Sequence, residues 1–323
     1  MSTWENKKGR SGKTVSAVIV TFNRKEELVR CLRAVLQQTY PVMNVLIVDN
    51  ASTDGTWEYL IKEGVFEDPR ILYHRSETNT GGSGGFHTGL QIAHTQLRTD
   101  FYWLMDDDGY PSRDCLRMLL RGSRRYDYIM PASVDILDET RLSWPVRMQN
   151  GKKTGSLQEL RSSWGRIMNY VTPFNGILLS KKCVDEVGYI NPKFFIWGDE
   201  YDHYYRCLEK GFRPVTLLDA VFYHPSQKLP LVPVCFGLFH VPYVDSRLRM
   251  VCLARNYTYI YRHYHQKYKI PLKFLLYTWL YLITRRGDVE GWKLYLSSVG
   301  DGFREDFSRH WKYLPGVRVG TDI

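Results

Sequence analysis

The chain has no Cys-x-x-Cys pair, no Gly-Lys-Ser/Thr phosphate loop, no apolar h-region after its start and no apolar run long enough to span a bilayer. Each absence excludes something. The six scattered cysteines, at 31, 115, 183, 207, 235 and 252, argue against a zinc ribbon or a disulfide framework and suit reduced cytosolic thiols. Without the lysine-containing loop a P-loop nucleotide site is not expected, and without an h-region neither is a cleavable secretion signal. The longest aromatic and aliphatic stretch, Ile270 to Ile283, is too short for a span and carries Lys273. A cytoplasmic protein is the expectation.

What is present fits a globular chain of 323 residues, 44% of them hydrophobic, with a large buried core. Only the polar start, Met1 to Gly12, reads as flexible. The net charge of +10 is uneven: from Asp245 to Ile323 fourteen Lys/Arg face seven Asp/Glu, so most of the excess lies in the last quarter. No nucleic-acid-binding module accompanies it, and nucleic acid is not an expected partner.

The most telling stretch is Phe101-Tyr-Trp-Leu-Met-Asp-Asp-Asp-Gly-Tyr-Pro111, an apolar strand running into three carboxylates. Like charges on adjacent residues are costly to desolvate, so they are expected at a strand end, open to solvent or facing a cation. Strand alternation would put Asp106 and Asp108 on one face and Asp107 on the other, giving oxygen ligands suited to Mg²⁺ or Mn²⁺. The bland alternative is an acidic surface turn closed by Gly109 and Pro111.

Around it, apolar runs and helical spacing alternate. Strands are expected at 15–21, 45–48 and 71–73, and helices at 25–38, around Trp57 and Leu60 with Ser52 or Thr53 as cap, and at 85–97. Strand and helix alternating in this way give a mostly parallel, doubly wound α/β sheet whose ligands sit at the carboxyl ends of strands, where Asp49 and Asp106 to Asp108 fall. The turn Asn79-Thr-Gly-Gly-Ser-Gly-Gly85 reads as a close backbone approach to an anion before a helix, or as a merely flexible loop.

Residues 140–172 show no clear period and read as an irregular segment over the site. A strand is expected over 174–180, a helix over 181–187, a helix from Asp202 to Lys210, and separate strands at 214–218 and 221–224. Asp199 and Glu200 follow the apolar Phe194 to Trp197, where partial burial would raise a carboxylate toward the range of a general base; capping of the next helix is the alternative. His224, at a strand end, is either structural or a metal ligand.

Taken together, Val18-Ile-Val-Thr-Phe-Asn-Arg24, Val48-Asp-Asn-Ala-Ser-Thr-Asp54, the triple aspartate and Trp197-Gly-Asp-Glu200 resemble the family 2 glycosyltransferases of GT-A fold over residues 14 to 226. The glycine turn with Trp103-Leu-Met-Asp-Asp-Asp-Gly109 looks most like the bacterial galactofuranosyltransferases. The resemblance implies a GT-A α/β fold, Rossmann-like with a mostly parallel central sheet, and inverting, metal-dependent transfer of galactofuranose from UDP-galactofuranose to a glycan or lipid-linked glycan in cell-surface polysaccharide synthesis. It implies that Thr21, Asn23, Arg24, Asp49, Asn79, Gly81, Gly82, Asp106 and Asp107 bind the nucleotide sugar. Asp106, Asp108 and His224 would hold Mn²⁺ or Mg²⁺, and Asp199 would be the base with Glu200 in reserve. His87 and Trp197 would meet the acceptor, although His87 also suits an ordinary helix surface. Here Gly198 precedes Asp199 where the mycobacterial polymerase of that family carries adjacent aspartates after its Trp, which leaves the choice between Asp199 and Glu200 open. Rival readings are a dTDP-rhamnose transferase and a non-catalytic glycan-binding relative.

The expected organisation is a flexible 1–13, a catalytic 14–240 and a helical, basic and aromatic 241–323. Tyr and Trp beside Lys and Arg in the last part suit attachment to an anionic membrane surface, the inner face of the cell membrane in this reading. The same apolar face suits packing on the catalytic part or a homodimer equally well.

Overall fold

The computed structural model describes residues 12–171, 175–226 and 229–314. The start expected to be flexible, Met1 to Ser11, and Phe174, expected to open a strand, lie outside the described residues. In chain order the elements are β1 (Val15–Thr21), α1 (Lys25–Leu36), β2 (Asn44–Asp49), α2 (Thr56–Lys62), β3 (Ile71–Arg75), α3 (Gly81–Ile92) and β4 (Phe101–Asp106). Then come β5 (Tyr110–Pro111), α4 (Cys115–Gly122), β6 (Tyr128–Asp135), β7 (Asp138–Arg147), β8 (Lys153–Ser156), α5 (Leu157–Trp164), β9 (Ile167–Met168), β10 (Ile177–Ser180) and α6 (Lys181–Val187). The last are α7 (Asp199–Glu209), β11 (Val215–His224), β12 (Leu231–Val234), β13 (Phe239–Pro242), α8 (Arg247–His263), α9 (Lys269–Trp279) and α10 (Val289–Arg304).

The main sheet runs β3-β2-β1-β4-β10-β6-β11-β5, with the first four strands parallel and β10 antiparallel to both neighbours. Both faces are covered, which is why β1 is buried along its whole length, Ser16 and Thr21 included. Leu28, Leu32 and Val35 of α1 pack on one face with Leu116 and Leu119 of α4. Phe86 and Leu90 of α3 pack on the other with Cys183 and Cys207 of α6 and α7. The parallel half sends β1, β2 and β4 to one edge, where Thr21, Asp49 and Asp106 end their strands.

Several local expectations are corrected. The glycine turn is not a loop: α3 begins at Gly81, and its glycines serve helix packing. A Cβ on Gly85 would stand 2.5 Å from Val20 Cγ1, and one on Gly89 2.4 Å from Val18 Cγ1, so the helix lies closer to β1 than any side chain permits. Residues 138–168 are not irregular; they form β7, β8, α5 and β9, whose core of Leu142, Val146, Leu157 and Leu160 packs on Val134 and Leu218. Residues 215–224 are one strand with a register shift between Leu217 and Val221 rather than two strands. The helix expected from Asp202 starts at Asp199. Neither Ser52 nor Thr53 caps α2; Gly55 holds the cap position at φ 80°, and Asp54 accepts from Thr56 N at 3.1 Å.

In the tail, Arg255 and Asn256 are fully buried in α8. A separate core of Val234, Val241, Met250, Leu276, Tyr277, Leu280 and Tyr295 joins the β12–β13 hairpin to α8, α9 and α10, with Trp197 packed against it. Among the described residues no helix is long and apolar enough to cross a membrane.

Candidate active site

The three carboxylates do not alternate across the sheet, because β4 ends at Asp106 and the chain turns. Asp107 is buried and accepts from Thr21 Oγ1 at 2.7 Å, while Asp108, also buried, lies 3.2 Å through Oδ1 from His224 Nε2 at the end of β11. One nitrogen of Arg24, Nη1, bridges Asp107 Oδ1 at 3.0 Å and Asp108 Oδ2 at 2.8 Å. The cluster is therefore neither the open surface turn nor the solvated strand end that charge repulsion suggested. Its negative charge is matched from within the chain by one guanidinium, itself about half exposed.

The match is incomplete. Burial, then the charges of Asp108 and Asp107, push Asp106 up to about 8. Asp107 is raised to about 6 by burial, against the pull of Arg24. Burial works against ionised Asp108 as well, but the hydrogen bond and charge of His224 and the charge of Arg24 outweigh it and hold that carboxyl below its ordinary value. Burial likewise opposes a charged His224, and Asp108 outweighs it, raising the imidazole. His224 Nδ1 faces Pro225 O at 2.8 Å, which fixes the hydrogen on Nδ1 and aims Nε2 at Asp108. Trp144 of β7 meets the ring edge-on at 5.4 Å between centroids. Asp108 and His224 touch, but among the described residues no three His, Cys, Asp or Glu side chains are arranged as a metal site.

Next to this cluster the ends of β1 and β2 and the start of α3 are tied together by side chains. Asn23, at φ 54°, accepts from Thr53 N at 2.7 Å, and Asp49 accepts from Ser52 N at 2.7 Å and from the Tyr73 hydroxyl. Asn50 donates to Gly81 O at 2.8 Å, and Asn79 accepts from Gly81 N at 2.8 Å. Thus Asn23, Asp49 and Asn79, expected to touch a ligand, spend these oxygens on shaping the loops that surround one.

Two adjacent glycines separate architecture from ligand space. Gly81 sits at φ 71° with a hypothetical Cβ only 2.1 Å from Phe195 O, whereas a Cβ on Gly82 would meet nothing within 4 Å. We expect Gly81→Ala to cost about 2 kcal/mol or more, from left-handed strain and the clash. Gly82→Ala should change stability by less than about 0.5 kcal/mol yet weaken binding of a nucleotide diphosphate. Thermal unfolding and nucleotide titration of both variants check this, and equal stability losses would contradict it.

The second carboxylate pair lies across α3. Phe195, Trp197 and Gly198 all have positive φ, 68°, 60° and 99°, so the chain entering α7 is held in a strained path. Asn256 of α8 holds it: its amide nitrogen lies 3.0, 2.8 and 2.7 Å from the carbonyl oxygens of Phe194, Ile196 and Trp197. Arg255 Nε donates to Asn256 Oδ1 at 2.8 Å, and Arg255 Nη2 to Phe194 O at 3.0 Å.

Asp199, delivered by this loop, is buried beside Glu200 and Ser83, and burial followed by the charge of Glu200 raises its carboxyl well above the ordinary value. Glu200, half-buried, accepts from Gly198 N at 2.8 Å, which is the capping alternative realised; burial raises it too. Burial raises both carboxyls of the pair, and the charge of Glu200 adds to the rise of Asp199.

Sequence reading missed Asn256, whose only signal was an Arg-Asn pair at the buried position of an aromatic helix. We expect Asn256→Ala to cost about 2–3 kcal/mol, because buried carbonyls lose their donor. It should depress kcat more than nucleotide affinity, and equal losses in both would contradict a role in placing Asp199. Of the other expected residues, Trp197 packs toward the C-terminal core, and His87, nearly two turns into α3, is tied through Nδ1 to Ile190 O at 2.7 Å.

A parallel half-sheet, an acidic cluster at its edge and a second carboxylate pair at the start of α7 fit a glycosyltransferase of the GT-A fold. Solved structures agree on the fold. GalNAc-T7 with UDP, GalNAc and Mn²⁺ superposes with a TM-score of 0.59 at 14% identity, covering 81% of this chain and 50% of that one. Residues 1–349 of Staphylococcus aureus TarS (S. aureus) give 0.52 at 14%, covering 93% and 83%. The chain belongs to glycosyl transferase family 2, whose profile matches residues 16–182. It is 30% identical over 303 residues to the galactofuranosyltransferase GlfT1 of Mycobacterium tuberculosis, covering 92% of this chain and 97% of that one. The GlfT1 of Mycolicibacterium smegmatis is likewise 30% identical over 302 residues, 91% of this chain and 98% of its own.

Proposed function

We propose that the protein moves galactofuranose from UDP-galactofuranose, with inversion and with a divalent cation, to a hydroxyl of a glycan or lipid-linked glycan acceptor in cell-surface polysaccharide synthesis. The donor assignment is supported by the likeness to GlfT1 along nearly the whole chain. The observation that carries the chemistry is the pairing of an acidic cluster at the sheet edge with a separate carboxylate pair, Asp199 and Glu200, at the start of α7. We read residues 14–240 as the catalytic part and 241–323 as its helical support, acting at the cytoplasmic face of the membrane.

Thr21, Asn23, Arg24 and Asp49 frame the nucleotide, and Asn79, Gly81 and Gly82 with Asp106 and Asp107 frame the diphosphate and sugar. Asp106, Asp108 and His224 would hold Mn²⁺ or Mg²⁺. Their chemistry fits: hard carboxylate oxygens and an imidazole nitrogen aimed at one of them, in a cluster with more negative charge than Arg24 cancels. GalNAc-T7 was solved with Mn²⁺, as was a Pyrobaculum calidifontis mannosyltransferase with GDP-mannose and Mn²⁺. When bound, the cation supplies charge neutralisation for the departing diphosphate.

Asp199, once ionised, takes the proton of the acceptor hydroxyl, whose oxygen bonds to the anomeric carbon as the bond to the diphosphate breaks; UDP leaves with the electron pair. Glu200 tunes that carboxyl by its charge. Trp197 and His87 are the proposed acceptor contacts. Thermal unfolding with Mn²⁺ and either UDP or dTDP tests the donor: UDP should raise the midpoint more, and a larger rise with dTDP would favour a rhamnose donor instead.

A further inference from the structure

The hairpin preceding α8 has a composition unlike the rest of the surface. From Leu229 to Val244 there is no Asp, Glu, Lys or Arg, and His240 is the sole ionisable side chain apart from Cys235 and Tyr243. An exposed two-stranded ribbon in water normally carries charge on its free face and edges. Here β12 and β13 pair Val232 with Val241 and Val234 with Phe239, and Val234 and Val241 are buried against α9 and α10. The opposite face presents Leu231, Pro233 and Pro242 beside His240. At the tip Phe236 is 93% exposed and Leu238 77%.

The tip is also strained. Cys235 and Phe236 both adopt positive φ, 52° and 58°, a costly conformation for a bulky aromatic that glycine would adopt freely. The turn holds Phe236 outward, its ring 5.1 Å from Trp279 at the end of α9. That helix adds Leu272, Phe274 and Leu275 as exposed apolar side chains, and Ile283 follows in the π-helical turn after it. Exposed apolar groups thus gather on the hairpin and α9 rather than being scattered singly.

The charge around them is mostly positive: between Asp219 and Asp288 the chain contains ten Lys/Arg, of which Arg255 is buried, and a single acid, Asp245, while Arg285 pairs with Asp245 and Asp288. Lys267 and Lys269 stand at the start of α9, and Arg285 and Arg286 just past its π-helical extension. A shallow apolar wedge bordered by cations is complementary to an anionic bilayer surface. Pro230, Pro233 and Pro242 remove amide donors from the ribbon, which makes it a poor template for pairing with another strand and disfavours a second copy joined edge to edge.

We propose that the β12–β13 hairpin tip, with the outer side of α9, is a membrane-docking surface that inserts Phe236 and Leu238 between anionic lipids. This deepens the reading of a lipid-linked acceptor, on which its purpose rests. Trp197, two residues before Asp199, packs on the core beneath the hairpin, so docking brings the proposed base to the membrane surface.

Co-sedimentation with phosphatidylglycerol and with phosphatidylcholine vesicles tests it, on the full chain and on Phe236→Gly and Leu238→Glu. Wild type should bind the anionic vesicles, bind the neutral ones far less, and release as salt rises. Each variant should lose roughly tenfold or more in partitioning, the scale of one apolar side chain left in water. The unfolding midpoint should hold or, for Phe236→Gly, rise as strain is relieved, and the UDP-induced shift should be unchanged. Absence of binding by wild type, variants that bind as wild type does, or a solution dimer that the variants dissociate would each overturn the proposal. A missing UDP response with the vesicle pattern intact would sink the donor reading and still support the docking hairpin.

Discussion

Asp108→Asn should lower kcat for sugar transfer by about 10²–10³-fold, the scale set by removing one fixed charge from the stabilisation of a developing anion. Asp108 is the residue at which the cluster's interactions meet: Arg24 on one oxygen at 2.8 Å, His224 on the other at 3.2 Å, with Asp106 and Asp107 beside it. The amide keeps the volume and removes the charge. Stability should fall modestly, because the attraction of His224 and Arg24 that holds ionised Asp108 below its ordinary value is lost. The UDP-induced rise in unfolding midpoint with Mn²⁺ present should shrink toward the rise seen with UDP and a chelator. Transfer within about tenfold of wild type, well short of the loss expected for a fixed charge, would contradict the role given to Asp108.

The second large effect is at the base pair. Asp199→Asn should cost about 10²–10⁴-fold in kcat, the range for losing a positioned proton acceptor. Its pH dependence separates the two carboxyls. Burial and the charge of Glu200 raise Asp199 well above its ordinary value, so it holds a proton at low pH and becomes a base only as pH rises. Wild-type kcat/KM should therefore climb with pH to a plateau. In Glu200→Gln the neighbouring negative charge is gone, Asp199 ionises more readily, and the rising limb should move to lower pH while substantial activity remains. If instead Glu200→Gln abolishes transfer and Asp199→Asn keeps a rising limb, the roles are reversed. Asp199→Asn should also raise the unfolding midpoint by a few degrees at alkaline pH, since wild type must then bury a charge that the amide lacks.

The parallel half of the sheet was legible because its strands are covered on both faces. Ala17 to Val20 and Phe101 to Met105 are unbroken apolar runs, and the carboxylates that follow the second had to be functional or exposed. Residues 138–168 were illegible for the opposite reason. Asp138 to Arg147 is a largely exposed strand with only Leu142, Ser143 and Val146 buried, so neither period two nor a continuous run appears.

The glycine turn misled because the same composition serves two ends. Gly85 and Gly89 admit Val20 and Val18, Gly81 admits a carbonyl, and Gly82 alone of the four faces open space. For the site, carboxylates and a histidine at the ends of apolar runs singled out Asp106 to Asp108, His224 and Asp199, whereas the contacts that hold them did not announce themselves. Arg24 bridging two aspartates and Asn256 clamping a loop some sixty residues earlier are long-range contacts, which no local spacing encodes.

The most direct test is transfer from UDP-galactofuranose to a panel of galactosyl and lipid-linked acceptors with Mn²⁺ present, after chelation, and after Mn²⁺ is restored, with the anomeric configuration of the product read by NMR. The account predicts transfer that stops on chelation, returns with the metal and inverts the anomeric centre. Retention of configuration, transfer indifferent to chelation, or transfer from dTDP-rhamnose alone would contradict it.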